Sequence, residues 1–225
     1  MKSIDPQRLY DSRTITLQNA KEMLSDAKLL FESERWARCF FLLQIATEEL
    51  GKYGIIVSSA ISLKHGSLST SKFLKRFRNH KEKTKNLLGF ENLKTFLESE
   101  GKSDLFRIEQ DNKYAELQEQ VKFMSIYTDF DEGGTLHIPS QLFGRDLCSV
   151  TISLLQSRIG LIQSFEDEVA SSFDFSSVTC EMIAGFYDRI GLSEVLKKKR
   201  SAPLRLTNGK TALARGINKL KSMFG

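Results

Sequence analysis

Residues 36–60 read WARCFFLLQIATEELGKYGIIVSSA, and this stretch decides the fold. Apolar residues at helical spacing cover nearly all of its sides, which is typical of a helix buried in a protein core. Three charged residues, Glu48, Glu49 and Lys52, nevertheless fall in its middle. A buried carboxylate must be ion-paired, hydrogen-bonded or protonated. The stretch therefore predicts a central helix that carries either a structural ion pair, with Glu48 four residues before Lys52, or a charged functional pocket.

The segments around this helix repeat apolar residues at intervals of three and four, with only three prolines in 225 residues. These patterns predict an all-α protein, an up-and-down bundle of four to five long helices with a short helical, basic C-terminal extension. We expect a lead-in, the bundle, a helical extension and a basic tail at residues 1–13, 14–173, 174–200 and 201–225. The predicted long helices are 14–31, 35–62, 71–88, 105–127 and 140–171, and the shorter ones are 91–99, 178–190, 192–199 and 211–223.

The net charge of +5 is unevenly distributed along the chain. Residues 197–225 hold nine Lys or Arg and no acid, so the remaining 196 residues carry a net charge of −4. Such a tail is either a contact for RNA, the ribosome or DNA, or a solvated end. Its candidate RNA-binding residues are Lys197, Lys198, Lys199 and Arg200. The polar N-terminus and the lack of a long uncharged apolar run predict neither a signal peptide nor a transmembrane helix. The three widely spaced cysteines favour buried thiols in a reducing cytoplasm.

Two further places carry candidate functional residues. Arg76, His80 and Lys83 form a basic row that borders the apolar side of one helix, so His80 either contacts RNA or catalyses, or the row is a solvated face. Tyr127 lies where a helix ends and a Gly-Gly loop begins, and it is either functional or packs its ring on the core. The three histidines are scattered, so we expect no metal site and no cofactor.

Three segments give the chain a family likeness: 19–52, ending in Glu-Glu-Leu-Gly-Lys, then 77–88 (FRNHKEKTKNLL) and 125–139 (SIYTDFDEGGTLHIP). The chain resembles the AbiV abortive-infection proteins, a branch of the HEPN all-α superfamily. This resemblance implies a HEPN-like bundle that forms a homodimer. It also implies a bacterial antiphage toxin, activated by a phage-encoded protein, that arrests host translation. Many HEPN proteins are metal-independent ribonucleases with an Arg-x4–6-His motif.

The chain departs from that motif, because only three residues separate Arg76 from His80, and the spacing Lys122-x4-Tyr127 contains neither Arg nor His. An alternative catalytic centre would combine Glu48, Glu49, Lys52, His80, Lys83 and Tyr127. If the protein cleaves RNA, a ribose 2′-hydroxyl would attack the adjacent phosphate. His80 would act as base or acid in this reaction, Glu49 would orient His80, and Lys83 and Arg76 would stabilise the phosphorane that forms. The other hypothesis is a non-catalytic helical protein that sequesters a translation component or a phage protein.

Overall fold

The computed structural model describes residues 3–98, 108–130, 133–167 and 174–179, and for 92–98 and 108–112 it describes the backbone alone. The chain divides into two compact units, Met1–Phe173 and Asp174–Gly225. The first is helical, which confirms the predicted all-α bundle. Its helices are α1 Pro6–Asp11, α2 Arg13–Glu32, α3 Trp36–Lys64, α4 Thr70–Arg78, α5 His80–Glu98, α6 Ile108–Met124, α7 Pro139–Leu142 and α8 Arg145–Phe165.

In the second unit, the described residues form a short 3-10 helix, Phe175–Ser177, capped by the Asp174 carboxylate. The helices predicted beyond residue 179, and the basic residues of the tail, lie outside the described part of the chain. Among the described helices, none combines the length and the apolar content that crossing a bilayer requires.

Helix α3 is the centre of the first unit and packs against each of the other seven described helices. Its buried side chains include Leu43, Leu50, Tyr53 and Ile55, none of which is exposed to solvent. Helix α2 packs most extensively against α3, and small residues of α2 such as Ala20 and Ala27 allow the close approach. The prediction of a central helix that is buried on nearly all sides is confirmed.

The connection from α2 to α3 is three residues long and turns sharply at Glu34. This residue has a φ of 57°, in the left-handed region that glycine favours. Two hydrogen bonds close the turn: Glu34 N–H donates to the Phe31 carbonyl, and Arg35 N–H donates to the Leu30 carbonyl. This is the usual way to end a helix and reverse the chain, with a glutamate where glycine is common.

The helix predicted at 71–88 is broken in the structure. Asn79 adopts an extended conformation, with a ψ of 119°, and separates α4 from α5. Its side-chain oxygen accepts the Glu82 N–H at 3.0 Å, so Asn79 caps the new helix. Helix α5 then continues through Gly89, where the sequence predicted a stop. His80 consequently begins a helix instead of lying inside one.

Two other segments differ from expectation. The N-terminal lead-in contains α1, which packs on α3 and buries Leu9 and Tyr10. The predicted loop after α6 contains a small antiparallel hairpin, β1 Asp129–Phe130 and β2 Leu136–His137, in which Asp129 pairs with His137. The predicted helix 140–171 is two helices, because Phe143 is extended and Gly144 precedes the start of α8.

Candidate functional site

Side chains from three helices meet around the carboxylate of Glu48 in α3. His80 at the start of α5 lies 2.5 Å from Glu48, between Nδ1 and Oε2. Lys122 of α6 donates from Nζ to the other oxygen, Oε1, also at 2.5 Å. Lys83 of α5 has its Nζ 3.6 Å from Oε2. We call these four residues the Glu48 cluster, and its single carboxylate joins α3, α5 and α6.

The geometry decides which ring nitrogen of His80 carries the hydrogen. Two lone pairs 2.5 Å apart would repel, so the Nδ1–H of His80 donates to Glu48. The Nζ of Lys122 is 3.3 Å from the same Nδ1 and therefore directs its hydrogen to the carboxylate. In the neutral ring, Nε2 is left with its lone pair and can accept a proton.

The cluster changes the proton affinity of its members. Burial raises the pKa of Glu48, but the hydrogen bonds and positive charges of Lys122 and His80 outweigh it and hold that pKa below its usual value. Burial lowers the pKa of Lys83 by more than the attraction of Glu48 raises it. Glu48 is therefore the stable negative charge of the cluster, and the Lys83 ammonium loses its proton more easily than an ordinary lysine does.

Gly51 explains how α5 comes so close to Glu48. A Cβ at this position would lie 2.1 Å from the backbone oxygen of Lys83, so only glycine allows the two helices to touch there. Glu48 precedes Gly51 by one helical turn, and His80 precedes Lys83 by one turn on α5. The contact of Gly51 with the Lys83 backbone thus brings Glu48 of α3 next to His80 and Lys83 of α5.

His80 is by far the most exposed member of the Glu48 cluster. Its side chain is 46% exposed, whereas the side chains of Glu48 and Lys83 are each 9% exposed and that of Lys122 is 3% exposed. The adjoining cleft has a volume of about 10 Å³, roughly the space of one water molecule. With His80 neutral, two ammonium groups face one carboxylate, so the cluster has a net charge of +1. An anion approaching from solvent meets the His80 ring first.

The other predicted site residues lie elsewhere. Glu49 does not contact His80, so the prediction that it orients this ring is wrong, although its charge does raise the pKa of Lys83, the other partner predicted for it. Glu49 pairs with Lys52 and accepts a hydrogen bond from Asn19 at 3.0 Å. The predicted ion pair between Glu48 and Lys52 is also wrong, because Lys52 pairs with Glu49 and the Glu48 carboxylate is occupied by His80 and Lys122. Lys52 also lies over the ring of Phe77.

Arg76 and Tyr127 are also outside the cluster. Arg76 contacts Ser59 of α3, with its Nη1 3.4 Å from the hydroxyl oxygen. Tyr127 follows the end of α6, is 59% exposed, and stacks on Phe123. Tyr127 was expected to lie with the buried charges, but in the structure it is separate from them. The candidates Lys197, Lys198, Lys199 and Arg200 are outside the described residues.

Lys122 is the member of the cluster that sequence reasoning did not assign. It is 2% exposed and shares one face of α6 with Ala115 and Ser125, which are both 1% exposed. That face contains Ala115, Gln118, Lys122 and Ser125, at helical spacing but with little apolar character. The sequence did contain a signal for the burial of Lys122, namely a row of small and polar residues on a helix that must pack against others.

A second buried network links the opposite ends of the first unit's sequence. Arg13 of α2 binds Glu166 with two hydrogen bonds, of 3.0 and 2.7 Å, and Tyr53 of α3 donates to the same carboxylate at 2.6 Å. Burial and the neighbouring Glu166 both raise the pKa of Tyr53, so its hydroxyl keeps its hydrogen. A surface pocket of about 560 Å³ lies beside this network, between α2 and α8. All three side chains bond to one another, so we assign this network a structural role, stabilising the fold.

No three His, Cys, Asp or Glu side chains converge as metal ligands would within the described ranges. The sequence profile of the HEPN_AbiV family, described as AbiV, matches residues 9–158, which is two thirds of the chain. That match includes all four residues of the Glu48 cluster. Comparisons with curated proteins and with solved structures gave no match.

Proposed function

We propose that this chain, which belongs to the AbiV family of HEPN abortive-infection proteins, arrests host translation during phage infection by acting on RNA. The family supplies the biological setting, antiphage defence. The observation that supports an RNA-directed activity is the contact between Glu48 and His80, which holds a proton-accepting nitrogen at the surface of a positively charged cluster.

The reaction that fits this arrangement is transfer within the RNA backbone. His80 Nε2 would take the proton from a ribose 2′-hydroxyl, whose oxygen would then attack the adjacent phosphorus. The bond to the 5′-oxygen of the next nucleotide would break, and this oxygen would take a proton from water, which leaves a 2′,3′-cyclic phosphate and a 5′-hydroxyl. The proton held by His80 would then return to solvent. Glu48 would stabilise the imidazolium that forms. Lys83, with the weaker of the two lysine contacts to Glu48, is the ammonium that could stabilise the phosphorane charge.

We also propose a homodimer that a phage-encoded protein activates, as membership of the family implies, and exposed apolar side chains of the bundle are candidates for the dimer contact. Val150 and Leu154 are one turn apart on α8 and are 40% and 42% exposed, and Ile15 of α2 is 67% exposed. Light scattering checks the dimer. A particle of twice 25.6 kDa supports it, and a particle of 25.6 kDa at micromolar concentrations contradicts it.

A second candidate function, sequestration without catalysis, is favoured by a different observation. Glu48 is close to both lysines, and the cleft has space for about one water molecule. An ammonium that is already neutralised by a carboxylate gives a developing phosphorane less stabilisation. In this case the Glu48 cluster would hold the helices in place, and the bundle surface would bind a translation component or a phage protein.

Purified full-length protein incubated with total tRNA and rRNA, with and without phage lysate, separates the two candidates. The catalytic proposal expects fragments that end in 2′,3′-cyclic phosphate, produced by the wild type and absent with His80→Ala. Glu49→Gln is the matched control, because Glu49 is adjacent in sequence and pairs with Lys52 instead. The same protein is added in parallel to a cell-free translation system. If translation stops there while the RNA stays intact, cleavage is rejected and sequestration is favoured.

A further inference from the structure

The longest acid-free stretch of the first unit includes α4. Residues 50–81 contain seven Lys or Arg and no Asp or Glu, although residues 1–196 as a whole have a net charge of −4. Helix α4 itself, TSKFLKRFR, has four basic residues and no acid. This concentration of one sign of charge on an otherwise acidic body indicates an attraction for a polyanion.

Three of these cations are on the solvent side of α4 and have no ion-pair partner in the described part of the chain. Lys72, Lys75 and Arg78 are exposed, while Phe73 on the opposite side is buried. We call the three the α4 patch. Lys75 and Arg78 border an open cleft of about 530 Å³ that Ser71, Leu74 and Asn79 also line.

The neighbouring lysines behave differently, which sets the limit of the patch. Lys81 of α5 lies 3.6 Å from Glu116 and 3.8 Å from Glu119 of α6. Lys85 lies 3.9 Å from Glu82. Cations on the α6 side of α5 are therefore balanced by carboxylates, whereas those on α4 are not. The unbalanced charge ends next to Asn79, beside the exposed ring of His80.

We propose that the α4 patch binds the phosphate backbone of double-helical RNA and so presents that RNA to His80. This inference rests on the proposed function, in which RNA is the target. Three residues at intervals of three span about 9 Å along a helix. This is long enough to reach three successive phosphates of one strand, which span two steps of about 3.4 Å, or about 7 Å of axial rise.

The composition of the α4 surface favours a duplex over single-stranded RNA. Single strands are usually held by aromatic rings on which bases stack. The aromatic residues of α4 are not available for this, because Phe73 is buried and Phe77 packs against it with ring centroids 5.4 Å apart, beneath Lys52. Cations without stacking rings suit an RNA duplex, which proteins recognise by its backbone and shape.

The test measures binding of a labelled RNA stem-loop to the full-length protein over a range of salt concentrations. The variant is Lys72→Gln, Lys75→Gln and Arg78→Gln combined. Its matched control, which removes the same charge from other helices, is Lys28→Gln, Arg38→Gln and Lys113→Gln combined. We expect the α4 variant to bind roughly tenfold more weakly at low salt and to lose about 2–3 units from the slope of log K against log salt. The control should keep the wild-type slope.

Several results would overturn the inference. Equal losses in the two variants would show that only net charge matters, and an unchanged slope in the α4 variant would exclude phosphate contacts there. Polyglutamate that competes as strongly as the RNA would indicate an acidic protein partner instead. Should the triple variant not fold, Lys75→Gln alone should lower the slope by about 1.

His80→Ala in the same assay separates this inference from the proposed function. We expect this variant to bind RNA with the wild-type slope, because His80 is outside the patch. If the α4 variant binds RNA normally while His80→Ala abolishes translation arrest, RNA binding by the α4 patch is refuted and the proposed function stands. If the α4 variant loses RNA binding but His80→Ala still arrests translation, the patch stands and the catalytic proposal fails.

Discussion

Gly51→Ala tests the close approach of α3 and α5 on which the Glu48 cluster depends. The new methyl carbon would lie 2.1 Å from the Lys83 carbonyl oxygen and 2.7 Å from its carbonyl carbon. Ordinary contact begins near 3.4 Å, so α5 must withdraw by about 1.3 Å. A shift of that size takes His80 out of hydrogen-bond range of Glu48, from which it is now 2.5 Å away.

The energetic cost can be worked out from three contributions. Forcing the helices apart costs about 1–3 kcal/mol, and weakening the hydrogen bonds of the buried Glu48 carboxylate costs about 1–3 kcal/mol more. The better helix propensity of alanine returns about 1 kcal/mol. We therefore expect Gly51→Ala to lower the free energy of unfolding by about 1–5 kcal/mol, with about 3 kcal/mol as the central value.

Gly54→Ala is the matched control for Gly51→Ala. It is one turn further along α3, but there the added carbon would be 3.7 Å from the nearest atom, the Asn86 carbonyl oxygen. This is ordinary contact, so the control should keep the wild-type stability or gain up to about 1 kcal/mol. Urea unfolding followed by circular dichroism measures both variants. Equal stability of the two would refute the α3–α5 contact, and with it the placement of His80 against Glu48.

Three further predictions concern stability. Arg13→Ala should cost about 3 kcal/mol, because it leaves the buried Glu166 carboxylate without its cation, whereas the exposed Arg8→Ala should change urea unfolding by less than about 0.5 kcal/mol. Glu48 has a lower pKa in the folded than in the unfolded chain, where it is near 4.5. Its contribution is therefore present above that pH and lost as the pH falls through the folded pKa, so acid titration should destabilise the wild type more steeply than Glu48→Gln. Glu34→Gly should raise the melting temperature, since glycine relieves about 1 kcal/mol of left-handed backbone strain, and a lower one would contradict this reason.

The sequence contained enough information to predict the bundle, because α3 is apolar on nearly all of its sides and such a helix must be buried. The same property prevented a correct choice between Glu48 and Glu49. On a helix with no polar side, periodicity does not indicate which face meets which neighbour. The choice depends on Gly51, whose missing Cβ is informative only once the Lys83 backbone is known to lie against it.

Two other features could not be predicted from the sequence, for different reasons. The break at Asn79 lacks the usual glycine or proline, and its only signal is the capping tendency of asparagine. Lys122 was not assigned because a lysine on an amphipathic helix is normally solvated, and its burial depends on the carboxylate that α3 supplies. Both features are set by contacts between helices that are distant in sequence.

Protein synthesis in phage-infected cells tests the central claim most directly, that Glu48 and His80 form the functional centre. Amino-acid incorporation is measured after infection of cells that carry the wild type, His80→Ala, Glu48→Gln or the control Glu49→Gln, at matched protein levels. We predict that the wild type and Glu49→Gln arrest synthesis and that His80→Ala and Glu48→Gln do not. Arrest by His80→Ala as complete as that by the wild type would contradict the claim.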